Sequence, residues 1–485
     1  MNIIPGGVMV KLSVLVYNDT NKIDTIKSQS LKSIEIIRLK PEDFKNIPEM
    51  LNEGINSFKG EYFTIFSGIE LLPTAYEEMV ASLDKKEDMA MAYSDYFEVY
   101  PDGTKKERIL RDYDGDWTER CEFGHLRVYR KSCIEEVGGW SEKYNFQYEY
   151  DLHLKLSDKY GFYHLRKPLY NYYLRLEEVE AREVGASKLY FAGKGKYGGF
   201  SYLYYSKKEE KEIEEAFKSM LKRRGIYLSH KNKEIAQDKG RGYGVTVSVI
   251  IPVYNREDYI SRAIESVLNQ ILTDFEVICV DNGSTDRTKE IIRQYVKKDN
   301  RVRLIENYKN IIAYSFNLGI EAARGEYIAQ LDSDDEYCPE TLENMVKYLD
   351  SHPKCGLAIS YYELMDKNGK TLKEFGIVKH LEYDRNNILR VDGAGAVRVW
   401  RKKVVDEFGR FDVENFGRYA EDYDLILKLS EKYEVGRVHK VLYRYRRHPG
   451  NTDNLLDAEL KVRNKNLARR MAAKRRIEIN KRIAN

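Results

Sequence analysis

No stretch of this sequence approaches the roughly 20 consecutive apolar residues that a membrane-spanning helix needs, and residues 1–10 lack the charged start and long apolar core of a secretory leader. The expectation is a soluble, cytoplasmic protein. An excess of charge of one sign is missing as well: 81 basic side chains stand against 78 acidic ones, a formal net charge of +3. A global field therefore gives no reason to expect nucleic acid as a partner, and binding must be read from local sites. Cysteine is sparse. The five present, Cys121, Cys133, Cys279, Cys338 and Cys355, show neither C-x-x-C spacing nor an even framework. That argues against zinc and disulfides and fits a reducing compartment. Glutamine is scarce beside abundant lysine and glutamate, a bias reported for proteins from hot environments that bears on stability alone.

What is present is a chain too long for one ordinary core, organised by an internal repeat. LSVLVYN at 12–18 parallels VSVIIPVYN at 247–255, and SQSLKSIEIIRLK at 28–40 parallels NQILTDFEVICVD at 269–281. LNEGINSFKGEYFTIF at 51–66 then matches FNLGIEAARGEYIAQL at 316–331, pairing Asn52 with Asn317 and Gly54 with Gly319. GHLRVYRK at 124–131 matches GAVRVWRK at 395–402, and YDLHLKLSDKY at 150–160 matches YDLILKLSEKY at 423–433. Apolar strand patterns alternating with helical ones imply βαβ units and a mainly parallel sheet, whose ligands bind beyond the carboxyl ends of the strands. The chain thus reads as an α/β protein in four parts: a first domain at 8–175, a charged, partly helical connector at 176–244, a second domain at 245–452 and a basic helical tail at 453–485. The tail reads as a solvated helix, or else as a peripheral contact with an acidic membrane surface on its cytoplasmic face.

Three acidic segments carry chemistry. VDNGSTD at 280–286 follows an apolar strand, which puts Asp281 at the ligand edge of the sheet, where a carboxylate can accept base N–H bonds; alone, the segment could be a turn with a helix cap at Ser284 or Thr285. LDSDDEYCP at 331–339 ends another strand in carboxylates, with Asp332 and Asp334 one residue apart. Hard oxygen ligands of this kind suit Mg²⁺ or Mn²⁺, and a divalent cation neutralises the charge growing on a departing diphosphate; a solvated turn is the bland alternative. In YAEDYDLILKL at 419–429, Glu421 and Asp422 open a helix whose apolar side is Leu425, Ile426 and Leu429. Asp422 is the candidate base, against a plain helix N-terminus decorated with acids, the role read for Asp424.

Together PVYN (252–255), DNGSTD (281–286), GEYIAQLDSDD (325–335), EDYDL (421–425) and YRYRRHPGN (443–451) resemble the family 2 glycosyltransferases over residues 246–452. The resemblance implies an A-type glycosyltransferase fold, Rossmann-like, and an inverting transfer of a sugar from a nucleotide-sugar donor to a carbohydrate or glycoconjugate acceptor. It also implies roles. Asp281 would contact the nucleobase and Asp332 the ribose or diphosphate, with Pro252, Tyr254 and Asn255 lining the nucleotide pocket. Asp334 would hold Mn²⁺ or Mg²⁺, His448 would lie near the diphosphate as a second metal ligand, and Asp422 would be the catalytic base. Glu421, Gly393 and Asn317 would support the acceptor side. One departure is the segment NIIAYSFNLGI at 310–320, where the family commonly carries a glycine and an Ala-Arg-Asn element.

In the first half Lys40 takes the position of Asp281, and the acidic strand end becomes IFSGIELLP at 65–73, with Glu70 alone. Glu149 in YEYD takes the place of Asp422. The first domain is accordingly expected to be a degenerate copy with no D-x-D site. Trp117, Trp140 and Tyr144 could stack on sugar rings there or pack in its core. A two-site polysaccharide synthase and a non-catalytic carbohydrate-binding protein are the alternatives.

Overall fold

The β-branched run LSVLV forms β1 (Leu12–Val16), buried along its whole length as a central parallel strand must be. The computed structural model describes residues 9–17, 22–183, 205–236, 242–395, 397–451 and 455–484. They fall into two units, Met1–Arg224 and Gly225–Asn485.

In the first unit β1 is followed by β2 (Ile34–Arg38), β3 (Tyr62–Ile65), β4 (Glu70–Leu71), β5 (Met89–Val99), β6 (Lys105–Arg108), β7 (Arg127–Arg130) and β8 (Gly161–Tyr173). The sheet order is β2-β1-β3-β7-β5-β8-β4, with β6 on β5. The second unit contains β9 (Val245–Val253), β10 (Phe275–Asp281), β11 (Val302–Glu306), β12 (Gly325–Gln330), β13 (Glu336–Tyr337), β14 (Cys355–Met365), β15 (Ile377–Val378), β16 (Arg398–Arg401) and β17 (Glu434–Arg446). Its order, β11-β10-β9-β12-β16-β14-β17-β13 with β15 on β14, repeats the first with one strand added at the edge. Both sheets are mixed. β9, β10, β11 and β12 run parallel, while β16 lies antiparallel between β12 and β14.

The repeat extends to local packing. A Cβ on Gly60 would lie 2.7 Å from the Ser13 nitrogen, and one on Gly325 would lie 2.4 Å from the Ser248 nitrogen, so both sheets demand glycine where the chain enters β3 and β12. Asn52 exchanges two hydrogen bonds with the backbone of Trp140, and Asn317 does the same with Phe411. Trp140 and Tyr144 are buried, and Trp140 meets Phe63 edge-on, so these two serve the core.

The charged segment between the domains divides. Its helix Lys207–Arg223 opens with the capping box of Ser206 and Glu209, is followed by Gly225 at φ +68°, and packs on the helix Tyr148–Leu156 of the first unit. Leu228, Lys233 and Ile235 instead hydrogen-bond to Asn386, Lys432 and Pro353 of the second. Residues 184–204 and 237–241 lie outside the described residues. The basic tail is a helix, Ala458–Ala484, but it is not solvated all round: Ala468, Ala472, Ala473, Arg469 and Arg476 are buried where it packs on the helix Glu421–Ser430. The 3.6-residue spacing of small side chains permits that close approach, which composition concealed behind the surrounding arginines. Among the described residues no helix is long and apolar enough to cross a membrane.

Candidate active site

The parallel strands β10, β9 and β12 end side by side, and the acidic motifs follow from their carboxyl ends. Asp281 closes β10 with no exposed surface. One of its oxygens accepts the Ser284 N–H at 3.2 Å and lies 3.7 Å from Lys289 Nζ, while Oδ1 is buried with no hydrogen-bond partner. A buried acceptor left without a partner is costly unless a ligand donor satisfies it. Asn282 beside it accepts from Asn307 at 2.8 Å and from Ser315 at 2.5 Å, so the departing 310–320 segment supplies a hydroxyl to this pocket. The helix after the loop begins at Thr288, with Asp286 accepting the Thr288 N–H; Ser284 and Thr285 do not cap it but tie the loop to Asn255.

Asn255 adopts a left-handed backbone, φ +49°, and its side chain accepts the Thr285 N–H at 2.8 Å. Pro252 is buried in β9, and Tyr254 is among the exposed aromatics. Arg256, which sequence reasoning passed over, donates to the Asn255 carbonyl at 3.1 Å and the Gly450 carbonyl at 3.1 Å, and its Nε lies 3.4 Å from Asp334 Oδ2. The base-side loop and the D-x-D loop are thereby joined through one guanidinium.

After β12 the carboxylates diverge in environment. Asp334 is 8% exposed and its Oδ2 lies 2.8 Å from His448 Nε2, whose ring stacks on Tyr259. Burial pulls the Asp334 carboxyl upward, but the His448 hydrogen bond and the Arg256 charge outweigh it and hold the group below the usual range. Asp335 is fully engaged in structure: it accepts from Tyr443 at 2.7 Å and from the Arg446 N–H at 2.7 Å, and burial raises it well above the ordinary value. Asp332 faces the open crevice, yet enclosure by surrounding protein, then the charges of Asp334 and Asp422, push it up to about 7 against Arg398 and Arg256. Asp332 thus lies within reach of the charges of both Asp334 and Asp422.

Asp422 opens the helix Glu421–Ser430, directly after Ala420 at φ +69°, a strained conformation for a residue with a Cβ. One Asp422 oxygen lies 2.5 Å from Arg398 Nη2 and the other accepts the Tyr423 N–H. Glu421 is buried, and burial followed by the Asp422 charge raises it well above its ordinary value. Asp424 is fully buried and paired with Lys428 at 2.6 Å. Asn317 exchanges hydrogen bonds with the Phe411 backbone, and the Gly393 carbonyl accepts from Arg437 at 3.2 Å. Among the described residues no group of three or more His, Cys, Asp or Glu side chains is gathered around a common point as a metal cage.

The glycosyl transferase family 2 model matches residues 248–409. The chain is 33% identical over 219 residues to an uncharacterized glycosyltransferase of Methanocaldococcus jannaschii, an overlap of 43% of this chain and 73% of that one. The chain belongs to glycosyltransferase family 2. Over 211 residues it is 31% identical to a chondroitin synthase of Pasteurella multocida, covering 42% of this chain but only 21% of the synthase. An uncharacterized glycosyltransferase of Rickettsia felis is 25% identical over 501 residues, spanning 93% of this chain and 81% of its own.

This family 2 glycosyltransferase thus carries its matched segment entirely in the second unit. The equivalent region of the first unit lacks a counterpart of β11 and of the helix Thr288–Lys298, the elements that flank Asp281. Glu70, the one acid left near the D-x-D position, lies on β4 opposite β8 as Glu336 lies on β13 opposite β17, and it accepts from Asn171 and Tyr173. None of the three aspartates therefore has a counterpart at the end of β3. Arg398 was the most important omission of sequence reasoning. Its signal was there, since the arginine recurs in both RVYRK and RVWRK, and Arg127 pairs with Glu149 at 2.7 and 3.1 Å in the first unit.

Proposed function

We propose that residues 245–452 of the second unit transfer a sugar from a nucleoside-diphosphate donor to a hydroxyl of a glycan or glycoconjugate acceptor with inversion at the anomeric carbon. The observation that carries this reading is the pair of ion contacts Arg256–Asp334 at 3.4 Å and Arg398–Asp422 at 2.5 Å, both of whose carboxylates act on Asp332 just beyond the end of β12. Asp281 receives the base through its unpartnered oxygen, and Asp332 meets the ribose or diphosphate. Asp334 and His448, already 2.8 Å apart, would hold a divalent cation. The Asp334 carboxylate suits either Mn²⁺ or Mg²⁺ with phosphate oxygens completing the shell, and the His448 imidazole favours Mn²⁺ of the two. Such a cation supplies charge neutralisation for the leaving diphosphate.

The chain's own residues do the remainder. Arg256 adds fixed positive charge beside Asp334. Asp422 accepts the proton of the acceptor hydroxyl as its oxygen bonds to the anomeric carbon and the bond from that carbon to the diphosphate breaks on the opposite face. Arg398 fixes the Asp422 carboxylate in place. The first unit, without a donor half, is non-catalytic. The test is a donor panel read by release of nucleoside diphosphate, with and without Mn²⁺, on the wild-type chain and Asp334→Ala. Metal-stimulated release that the substitution removes is expected; release indifferent to both would refute the site.

A further inference from the structure

We propose that the first unit binds a neutral pyranose in the pocket beside the Arg127–Glu149 pair, as a non-catalytic saccharide site. This pocket encloses about 240 Å³ and lies wholly among residues 113–162. Water occupies roughly 30 Å³ per molecule in the liquid, so the space suits one sugar ring and falls below the roughly 300–1,000 Å³ typical of drug-sized sites.

Four observations give the ligand its chemistry. Phe146 and Tyr148 line the pocket beside Glu119, Arg127 and Glu149, a mixture that offers apolar ring faces and charged hydrogen-bonding groups together, while the Trp117 ring carries the Arg224 guanidinium 5.5 Å from its centroid. Trp117 is 5% exposed, and its indole N–H is buried with no hydrogen-bond partner, a donor that a ligand hydroxyl would satisfy. Phe146 is 52% exposed, unusual for a phenyl ring and suited to a platform at the mouth. Its loop is fixed in advance: the carboxylate of Glu212 accepts the three successive N–H groups of Asn145, Phe146 and Gln147 at 3.1, 2.8 and 3.1 Å. Preorganisation of this kind lowers the entropic penalty of binding.

The charges exclude the donor. Asp116 is balanced by Arg111 at 2.7 Å, and Arg127, the one Lys or Arg side chain among the described residues lining the pocket, is held by Glu149 in a bidentate pair. A diphosphate or a uronate would find that guanidinium already engaged. A hydroxylated, uncharged ring meets no such penalty. For its ligand class the inference rests on the reading of the Arg398–Asp422 side of the second unit as the acceptor side, since Arg127 and Glu149 are the corresponding pair.

The chain has three tryptophans, so 5-fluorotryptophan labelling of the full-length protein gives three ¹⁹F lines, assigned by Trp117→Phe and Trp140→Phe. Methyl glucoside, methyl mannoside and methyl N-acetylglucosaminide serve as probes, with methyl glucuronide and UDP as controls. At least one neutral glycoside is expected to move the Trp117 line saturably, with a dissociation constant on the order of 1 mM, while the Trp140 and Trp400 lines stay. Phe146→Ala, a change at an exposed position, should weaken that response about tenfold and leave nucleotide release by the second unit unchanged. Asp334→Ala should leave the response intact, so failure of the transferase reading and failure of this one are told apart. The proposal is overturned if no neutral glycoside moves the Trp117 line, if glucuronide or UDP moves it equally, or if Phe146→Ala has no effect.

Discussion

Arg398 Nη2 lies 2.5 Å from Asp422 Oδ2, and the other Asp422 oxygen is held by the Tyr423 N–H, so the candidate base is fixed at both ends. Asp422→Asn keeps the shape but cannot accept a proton, and it should lower kcat by about 10²- to 10⁴-fold with little change in donor KM. Arg398→Lys keeps the charge and loses the planar fork; kcat should fall about tenfold or more. Steady-state kinetics on both variants decide the matter, and an unaltered Asp422→Asn enzyme would remove that residue from the chemistry.

Asp334 and His448 share one contact, so each should change the response to metal. His448→Ala is expected to raise the Mn²⁺ concentration for half-maximal activity by about 10- to 100-fold, and excess Mn²⁺ should restore part of the rate. Titration of activity against free Mn²⁺ checks this. A curve identical to wild type would assign His448 to packing on Tyr259 alone.

The first unit keeps the arginine–carboxylate pair but lacks the donor half. Glu149→Gln should therefore leave nucleotide release and sugar transfer within about twofold of wild type, whereas Asp422→Asn should abolish transfer of every sugar the chain uses. Mass spectrometry of the acceptor product distinguishes the cases, and a second sugar still added by the Asp422→Asn protein would reveal an active first site.

Much of this architecture was legible in the sequence because periodicity reports burial. The runs at 12–16 and 247–253 had to be buried strands, and the ordered repeat required two similar sheets. The three acidic motifs were legible because each directly follows a strand. What escaped were contacts that join segments distant in the chain. Arg256 meets Asp334 78 positions later, and Arg398 meets Asp422 across two short helices and their loops; a lone arginine carries no local mark of its partner. Asp335, to which the sequence assigns no role, is tied into the structure by its Tyr443 and Arg446 contacts. The tail misled for a physical reason, since its alanines and the stems of its arginines pack while the charged ends find carbonyl oxygens.

That tail gives a stability prediction. Arg476 is fully buried, donating to the Arg385 carbonyl at 2.7 Å and to Ser430 at 3.1 Å, and burial pulls its guanidinium down to about 10. Arg476→Ala should destabilise the second unit by about 3 kcal/mol, leaving acceptors unpaired and a cavity behind. The melting midpoint should fall by roughly 6–12 °C in calorimetry. No shift would mean that this helix docks without contributing to the fold.

Acid should act on the first unit through two histidines. Burial, reinforced by Arg127, lowers His125 to about 4 and His153 to about 3, whereas in the unfolded chain both titrate near 6.5. Below that unfolded value the unfolded state binds protons that the folded state refuses, so stability is full above about pH 6.5 and declines as pH falls toward 4. The slope is at most about 1.4 kcal/mol per pH unit for each histidine, offset in part by Asp151, which burial raises. Denaturant midpoints between pH 7 and 5 should drop less steeply in His153→Gln than in wild type; parallel slopes would show that the ring is already charged in the folded protein.

The first unit's sheet stops at β2, where the second continues to β11. Among the described residues the outer flank of β2 therefore has backbone donors and acceptors without a neighbouring strand, and Ile36 on it is 38% exposed. Such a flank is a template for unwanted pairing between molecules. Arg38 and Lys40 close the segment, and a second copy aligned alongside would set cation against cation. The shorter sheet thus leaves the first unit with a border to guard, and those two basic side chains stand at its end.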